Sequence, residues 1–165
     1  MTDLRLHVVL VEPEIPQNTG SIARTCAAVG APLHLVKPLG FSLEDRYLKR
    51  AGLDYWHLVE VFHHESLPEF LKSTEGADLR FITKKAAQTY DRIDFSGEIF
   101  LVFGKETAGL PDDLLRRHHD RCYRIPMKSE ARSLNLASAV TAVAYEACRQ
   151  SGFDRLKLDG SEEFS

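Results

Sequence analysis

The feature that most constrains the fold is a regular alternation of short apolar runs with segments whose apolar residues recur at helical spacing. The apolar runs predict strands at 4–12, 32–38, 58–62, 78–85, 97–104 and 121–126. The segments between and after them predict helices at 18–30, 42–52, 66–74, 111–119 and 135–150. Strands that alternate with helices indicate an α/β fold with a mainly parallel sheet and helices on both faces.

Length and composition indicate one domain. The 165 residues are 44% hydrophobic and 27% charged, as in an ordinary globular protein. We expect residues 1–152 to form a single domain and residues 153–165 to be an acidic, mobile tail. No apolar run reaches the roughly 20 residues that cross a bilayer, and the first ten residues do not resemble a signal peptide. We therefore expect a cytoplasmic protein without a membrane partner.

The cysteines and histidines form no pattern typical of a disulfide framework or a metal site. Cys26, Cys122 and Cys148 are odd in number and lack C-x-x-C spacing. Histidine pairs occur at 63–64 and 118–119, but neighbours in a strand point to opposite faces and so make poor metal ligands. The sequence predicts no metal site.

Basic residues are concentrated in one segment of an acidic chain. The net charge is −3, yet residues 114–132 hold six basic residues against two acidic ones. The basic residues are Arg116, Arg117, Arg121, Arg124, Lys128 and Arg132. Such a patch suits a polyanion that docks at one place, although an ordinary solvated helix face has the same appearance.

Polar loops follow three of the predicted strands, at 12–20, 104–111 and 126–135, and the first two contain glycine. Ligands of parallel sheets bind beyond the carboxyl ends of the strands, so these loops form the candidate site. The first loop lacks the G-x-G-x-x-G pattern of a dinucleotide-binding turn, which argues against a nucleotide-dependent oxidoreductase.

Individual residues of the loops leave their roles open. Gly104 and Gly109 flank Glu106, an arrangement that lets a ligand approach the backbone closely but also occurs in a plain turn. Ser133 and Asn135 precede the last helix, where one of them can cap the helix and leave the other for a ligand. No nucleophile–histidine–acid arrangement stands out, so these residues alone do not name a reaction.

Taken together, the three loops resemble, in order and spacing, the signature motifs of the SPOUT (trefoil-knot) RNA 2′-O-ribose methyltransferases. The matching stretches are EPEIPQNTGSIART, VFGKETAGLP and IPMKSEARSLNLASAV. The resemblance covers nearly the whole chain. The stretches PLGF and RAGLDYW extend it to the minimal branch that methylates the wobble cytidine or uridine of tRNA. It implies a C-terminal trefoil knot, S-adenosyl-L-methionine as cofactor and tRNA as partner.

The same resemblance implies roles for individual residues. The cofactor would be bound by Ile82, Thr83, Gly104, Glu106, Ile125, Met127, Ser133, Leu134 and Asn135. Asn18 and Arg24 match the catalytic asparagine and arginine, and Tyr145 matches a position that helps to place the substrate. The six basic residues of 114–132 become candidates for RNA binding. Family members are homodimers with the site at the interface, which agrees with a last helix rich in alanine on both faces.

The expected reaction moves a methyl group from a sulfonium to a ribose hydroxyl, which is a poor nucleophile while neutral. An arginine side chain stays charged in proteins, which makes Arg24 an unlikely base. We interpret it as a cation that stabilises the developing alkoxide or the adjacent phosphate. The alternative to this catalytic role is that Arg24 is an ordinary surface residue in a salt bridge.

Two alternatives to this function stay open at the level of sequence. One keeps the chemistry but moves it to another tRNA site or to ribosomal RNA. The other is a non-catalytic RNA-binding protein that keeps the knot, against which the intact Asn18, Arg24, Glu106, Ser133 and Asn135 argue.

Overall fold

The computed structural model describes residues 3–161, except for the side chains of residues 51–54. The strands are β1 Arg5–Val11, β2 Leu33–Val36, β3 Val61–His64, β4 Asp78–Ile82, β5 Gln88–Thr89, β6 Glu98–Phe103 and β7 Cys122–Arg124. The α-helices are α1 Pro16–Val29, α2 Arg46–Trp56, α3 Leu67–Ser73, α4 Asp112–Arg117 and α5 Leu136–Gln150. The described strands form one sheet in the order β3-β2-β1-β6-β4-β7-β5, and each neighbouring pair is parallel.

Alternate residues of the strands feed two apolar layers, one on each face of the sheet. Val8 belongs to the layer covered by α1 and α5, together with Ile22 and Val143. Val9 belongs to the opposite layer, which α3 and α4 cover through residues such as Phe70. Helix α2 lies outside this arrangement and packs mainly against α1. The predicted α/β fold with helices on both faces is confirmed, while the knot stays a prediction of the family resemblance.

Helix α1 begins two residues earlier than its sequence prediction. Pro16 occupies the first turn, where its missing N–H forfeits no helical hydrogen bond. Asn18 therefore lies inside the first turn instead of at the helix start. Gly30 ends the helix in the left-handed conformation, with φ of 75°.

The predicted bounds of α2, 42–52, are wrong at both ends. Asp45 caps the helix, since its side chain accepts hydrogen bonds from the backbone N–H groups of Tyr47 and Leu48. The helix then continues through Gly52 to Trp56. Because Trp56 packs against the core, tertiary contacts outweigh the modest helix-breaking tendency of one glycine.

Strand β3 begins three residues and ends two residues later than the predicted 58–62. Val59 is buried but belongs to the turn that precedes the strand, so an apolar residue there signals core contact and not strand pairing. The short strand β5 and the 3₁₀ turns at Tyr90–Arg92 and His119–Arg121 were not predicted, because segments of two or three residues carry no periodic pattern.

A chain of hydrogen-bonded histidine rings crosses β1, β2 and β3. His34 lies between His7 and His64, at 2.9 and 3.0 Å, and His7 also reaches the carboxylate of Glu98 at 2.9 Å. Burial, with smaller contributions from His7 and His64, lowers the pKa of His34 to about 3. His34 is thus a neutral core residue of the folded protein at neutral pH.

The four strands at the centre of the site are neighbours in the order β1, β6, β4 and β7. Their carboxyl ends lie on one edge of the sheet because all four run in the same direction. The loops at 12–15, 104–111 and 125–135 therefore converge, as the sequence predicts.

No helix within residues 3–161 is long and apolar enough to cross a membrane. Helix α5 ends at Gln150, and Phe153 follows with φ of 58° and donates its N–H to the carbonyl of Cys148. The division into a domain at 1–152 and a tail at 153–165 stays a prediction.

Candidate active site

A cavity of about 430 Å³ opens at the carboxyl ends of the central strands. The volume lies within the range of roughly 300–1,000 Å³ that is typical of small-molecule sites. Its lining includes all nine residues that the sequence nominates for the cofactor: Ile82, Thr83, Gly104, Glu106, Ile125, Met127, Ser133, Leu134 and Asn135. The structure thus brings the nominated residues together, and their role as cofactor ligands stays a prediction.

The glycines of the second loop close that loop upon itself. A Cβ atom on Gly104 would collide with the backbone of Gly109 and Leu110. Gly109 has φ of 68° and donates its N–H to the carbonyl of Lys105 at 2.9 Å. Closure of this loop therefore requires glycine at both positions. The close approach of a ligand, which the sequence suggests, is a separate reason for glycine.

Glu106 joins the second loop to the first. One carboxylate oxygen accepts the backbone N–H of Glu14 at 2.9 Å, and the other accepts the N–H of Ile15 at 2.8 Å and the amide of Asn18 at 3.2 Å. Ile15 is the N-cap of α1 and has no capping side chain of its own. Glu106 thus supplies from another loop the contact that a glutamate makes in a capping box, next to the positive end of the helix dipole.

A second carboxylate crosses between the same loops in the opposite direction. Glu14 accepts hydrogen bonds from the backbone N–H of Thr107 at 3.0 Å and from its hydroxyl at 2.7 Å. These bonds hold the pKa of Glu14 below its ordinary value, and the bond from the Thr107 hydroxyl contributes most. We call the exchange of Glu14 and Glu106 between the loops the glutamate clasp.

Asn18 and Asn135 connect the first loop to the third. The side-chain oxygen of Asn135 caps α5 by accepting the N–H of Ser138 at 3.2 Å, and its amide donates to the side-chain oxygen of Asn18 at 3.0 Å. Asn18 is buried and is fixed from both sides, by Asn135 and by Glu106. Of the two candidate caps, Asn135 caps the helix, and Ser133 lies exposed at the cavity wall.

Arg24 and Tyr145 lie outside the cavity lining, on α1 and α5. Both are exposed. The guanidinium carbon of Arg24 lies 4.8 Å from the centroid of the Tyr55 ring, and Arg24 forms no ion pair with any side chain that the structure describes. The structure therefore does not support the salt-bridge alternative for Arg24.

The sequence profile of the SpoU rRNA Methylase family matches residues 5–145, a range that includes all three loops and most of α5. The chain belongs to this family.

Relatives of this SpoU family member match it over nearly its whole length. A tRNA (cytidine(34)-2′-O)-methyltransferase of Yersinia pestis is 44% identical over 154 residues, which are 90% of this chain and 95% of that protein. A solved structure described as "Structural insights into the 2-OH methylation of C/U34 on tRNA" has a TM-score of 0.86 at 46% identity and covers 91% of this chain and 98% of that one. The SpoU methyltransferase AviRb of Streptomyces viridochromogenes, in complex with AdoMet, has a TM-score of 0.78 at 30% identity, over 94% of this chain and 60% of that one.

The basic cluster of this SpoU family member divides into separate groups. Arg116 and Arg117 lie on the exposed end of α4. Arg121 pairs with Asp78 at 2.7 Å, and that contact offsets its charge. The exposed Lys128 and Arg132 lie in the third loop, next in sequence to Met127 and Ser133, which line the cavity. Arg124 is half-buried in β7.

Sequence reasoning missed Glu14, Thr107 and Tyr55. Glu14 and Glu106 lie in two of the predicted polar loops, but no sequence pattern indicates a contact between residues that lie 92 or 93 positions apart. Tyr55 belongs to the stretch RAGLDYW, which in the sequence indicates only the family resemblance and no contact with Arg24. Among the side chains that the structure describes, no group of three or more histidine, cysteine or acidic residues could hold a metal ion.

Proposed function

We propose that this SpoU family protein transfers a methyl group from S-adenosyl-L-methionine to the ribose 2′-hydroxyl of cytidine or uridine at position 34 of tRNA. The observation that carries the proposal is the similarity over nearly the full chain to enzymes of that description, together with the convergence of the three loops on one cavity. The nearest alternatives, another tRNA site or ribosomal RNA, keep the same chemistry.

The cavity fits the proposed cofactor. Its walls combine the backbone of the second loop with four apolar side chains, those of Ile82, Ile125, Met127 and Leu134. Apolar walls with a few polar groups that orient the ligand suit a purine ring. When bound, the cofactor supplies an electrophilic methyl group on a sulfonium. The enclosing loops orient it and exclude water from one side.

Arg24 is the proposed catalytic cation. Its exposed guanidinium can donate hydrogen bonds to the ribose oxygen as negative charge develops there, and to a neighbouring phosphate. Arginine side chains stay charged in proteins, so the proton of the hydroxyl leaves to phosphate or water.

Asn18 is the proposed orienting residue of the first loop. Its side chain is held at both ends, by Glu106 at 3.2 Å and by Asn135 at 3.0 Å. A side chain fixed in this way needs no reorganisation during the reaction, which is the condition for electrostatic preorganisation.

We further propose that two copies of the chain form the active enzyme through α1 and α5. Ile15, Leu134 and Tyr145 are large side chains that remain 41%, 43% and 41% exposed in the single chain, and the first two line the cavity. A partner copy would cover such surface. Ala142→Glu would bury a charge in that interface, and sedimentation should then show monomer or unfolded protein. Ala77→Glu, at an exposed position outside α1 and α5, serves as the control.

The proposal is tested by calorimetry and methyl transfer on one preparation. S-Adenosyl-L-methionine should bind after treatment with a chelator, and the protein should then transfer its labelled methyl group to tRNA. Loss of cofactor binding on chelation would contradict the metal-free site. Binding without transfer to any RNA would favour the non-catalytic alternative. We also propose the cytoplasm as the location, because the proposed substrate is tRNA.

A further inference from the structure

The proposed catalytic arginine has an unusual neighbour. Arg24 is exposed on α1, and its guanidinium lies over the ring of Tyr55 on α2, with 4.8 Å between the guanidinium carbon and the ring centroid. In the part of the chain that the structure describes, the guanidinium makes no hydrogen bond and no ion pair. The face of an aromatic ring is thus the contact that defines its position.

A ring face restrains an arginine without using its donors. A carboxylate partner would occupy two of the five N–H groups and offset the positive charge. An aromatic ring attracts the cation through its quadrupole, and the edges of the guanidinium remain available to a substrate oxygen. The arrangement therefore limits the freedom of a long side chain and preserves the groups that the proposed reaction needs.

The backbone that carries the Tyr55 ring is anchored at the end of α2. Tyr55 lies in the last turn of the helix, and its carbonyl accepts the N–H of Leu58 at 2.9 Å. The next residue, Trp56, packs against the apolar core. The helix as a whole packs mainly against α1, which carries Arg24. The backbone on both sides of the contact is therefore anchored.

We propose that Tyr55 is a positioning residue for Arg24. It holds the plane of the guanidinium through its ring face, so that the N–H groups point towards the ribose hydroxyl and its phosphate. The inference rests on the proposed function for its catalytic consequence, while the contact itself can be tested without any reaction.

The contact is tested first by nuclear magnetic resonance. The Arg24 side-chain resonances, assigned by their loss in Arg24→Ala, should show the upfield shift that an aromatic ring causes. Tyr55→Phe should retain that shift and Tyr55→Leu should lose it. Tyr47→Leu is the matched control, because Tyr47 lies on the same helix but faces Arg46. An unchanged Arg24 spectrum in Tyr55→Leu would overturn the proposal.

Single-turnover methylation tests the consequence. Tyr55→Phe should stay within about twofold of the wild type and Tyr55→Leu should fall about fivefold, the upper end for a cation–π contact at an exposed site, with cofactor affinity unchanged. In the Arg24→Lys background, Tyr55→Leu should have a clearly smaller effect, because the planar group that it positions is absent. An equal loss in both backgrounds, or an equal loss in Tyr55→Phe, would overturn the positioning role. Wild-type protein that transfers no methyl group would refute the proposed function and leave the spectroscopic test standing.

Discussion

The most informative single change to the site is Glu106→Gln, which removes one charge and one acceptor but keeps the side chain's shape. The carboxylate accepts three hydrogen bonds, from the backbone of Glu14 and Ile15 and from the amide of Asn18. A glutamine can turn its single oxygen towards only one side. Its best orientation keeps the bonds to Ile15 and Asn18, and its NH₂ group then faces the N–H of Glu14.

The expected cost follows from the bonds that change. A hydrogen bond to a charged group is worth about 1.5–3 kcal/mol, and a carboxylate at a helix N-terminus adds about 0.3–1 kcal/mol. Since Glu106 is only half-buried, we take the lower part of these ranges and expect a loss of about 2 kcal/mol in the free energy of unfolding. At a urea slope of about 2 kcal/mol per molar, this loss moves the unfolding midpoint by roughly 1 M.

The assay compares urea unfolding, cofactor affinity and single-turnover methylation on the same preparations. Glu130→Gln, at an exposed position of the third loop, controls for the loss of one negative charge. We expect Glu106→Gln to lose stability and transfer rate together, because the backbone of Glu14 loses its acceptor and the bond from Asn18 then goes to a neutral oxygen. A variant as stable and as fast as the wild type would refute the clasp. Weak cofactor binding at unchanged stability would instead return Glu106 to the role of a cofactor ligand.

Three further predictions concern the catalytic cation, the histidine chain and the RNA contacts. Arg24→Lys should lower methyl transfer at least about 100-fold with cofactor affinity nearly unchanged, and near-wild-type transfer would remove this residue from the chemistry. Folding lowers the pKa of His34 from an ordinary 6.5 to about 3, so the unfolded state binds more protons between these two pH values. The free energy of unfolding should therefore decline as the pH falls below about 6.5, by at most about 1.4 kcal/mol per pH unit. Urea unfolding at pH 7.5 and 5.5 checks this, and His34→Gln should show a smaller difference between the two; an equal difference would exclude His34 as the source. Lys128→Ala with Arg132→Ala should flatten the log–log salt dependence of tRNA binding by about 1.4, at roughly 0.7 for each lost phosphate contact, and an unchanged slope would assign both residues to the ordinary surface.

The layered α/β architecture could be predicted from the sequence because local patterns determine it. Apolar runs separated by helical segments require parallel strands, and the alternation of Val8 and Val9 between two layers follows from the geometry of a strand. Helix bounds were less predictable where tertiary contacts compete with local signals. Trp56 extends α2 beyond Gly52 for this reason.

The site could be predicted as a set of loops but not as a network. Family resemblance nominated the residues around the cavity, and convergence of the loops follows from parallel strands. The glutamate clasp and the contact of Tyr55 with Arg24 depend on side-chain packing between segments far apart in sequence, for which no local pattern exists. Glu106 illustrates the difference, because both of its oxygens are engaged by the first loop.

The proposed function requires this protein to methylate the ribose of nucleotide 34. The direct measurement is mass-spectrometric mapping of a tRNA transcript after incubation with the protein and S-adenosyl-L-methionine carrying a deuterated methyl group. A transcript with a 2′-deoxy nucleotide at position 34 is the control. One labelled 2′-O-methyl group should appear at position 34 and none in the control. A label on a base, on another nucleotide, or in equal amount on the 2′-deoxy transcript would contradict the proposed function.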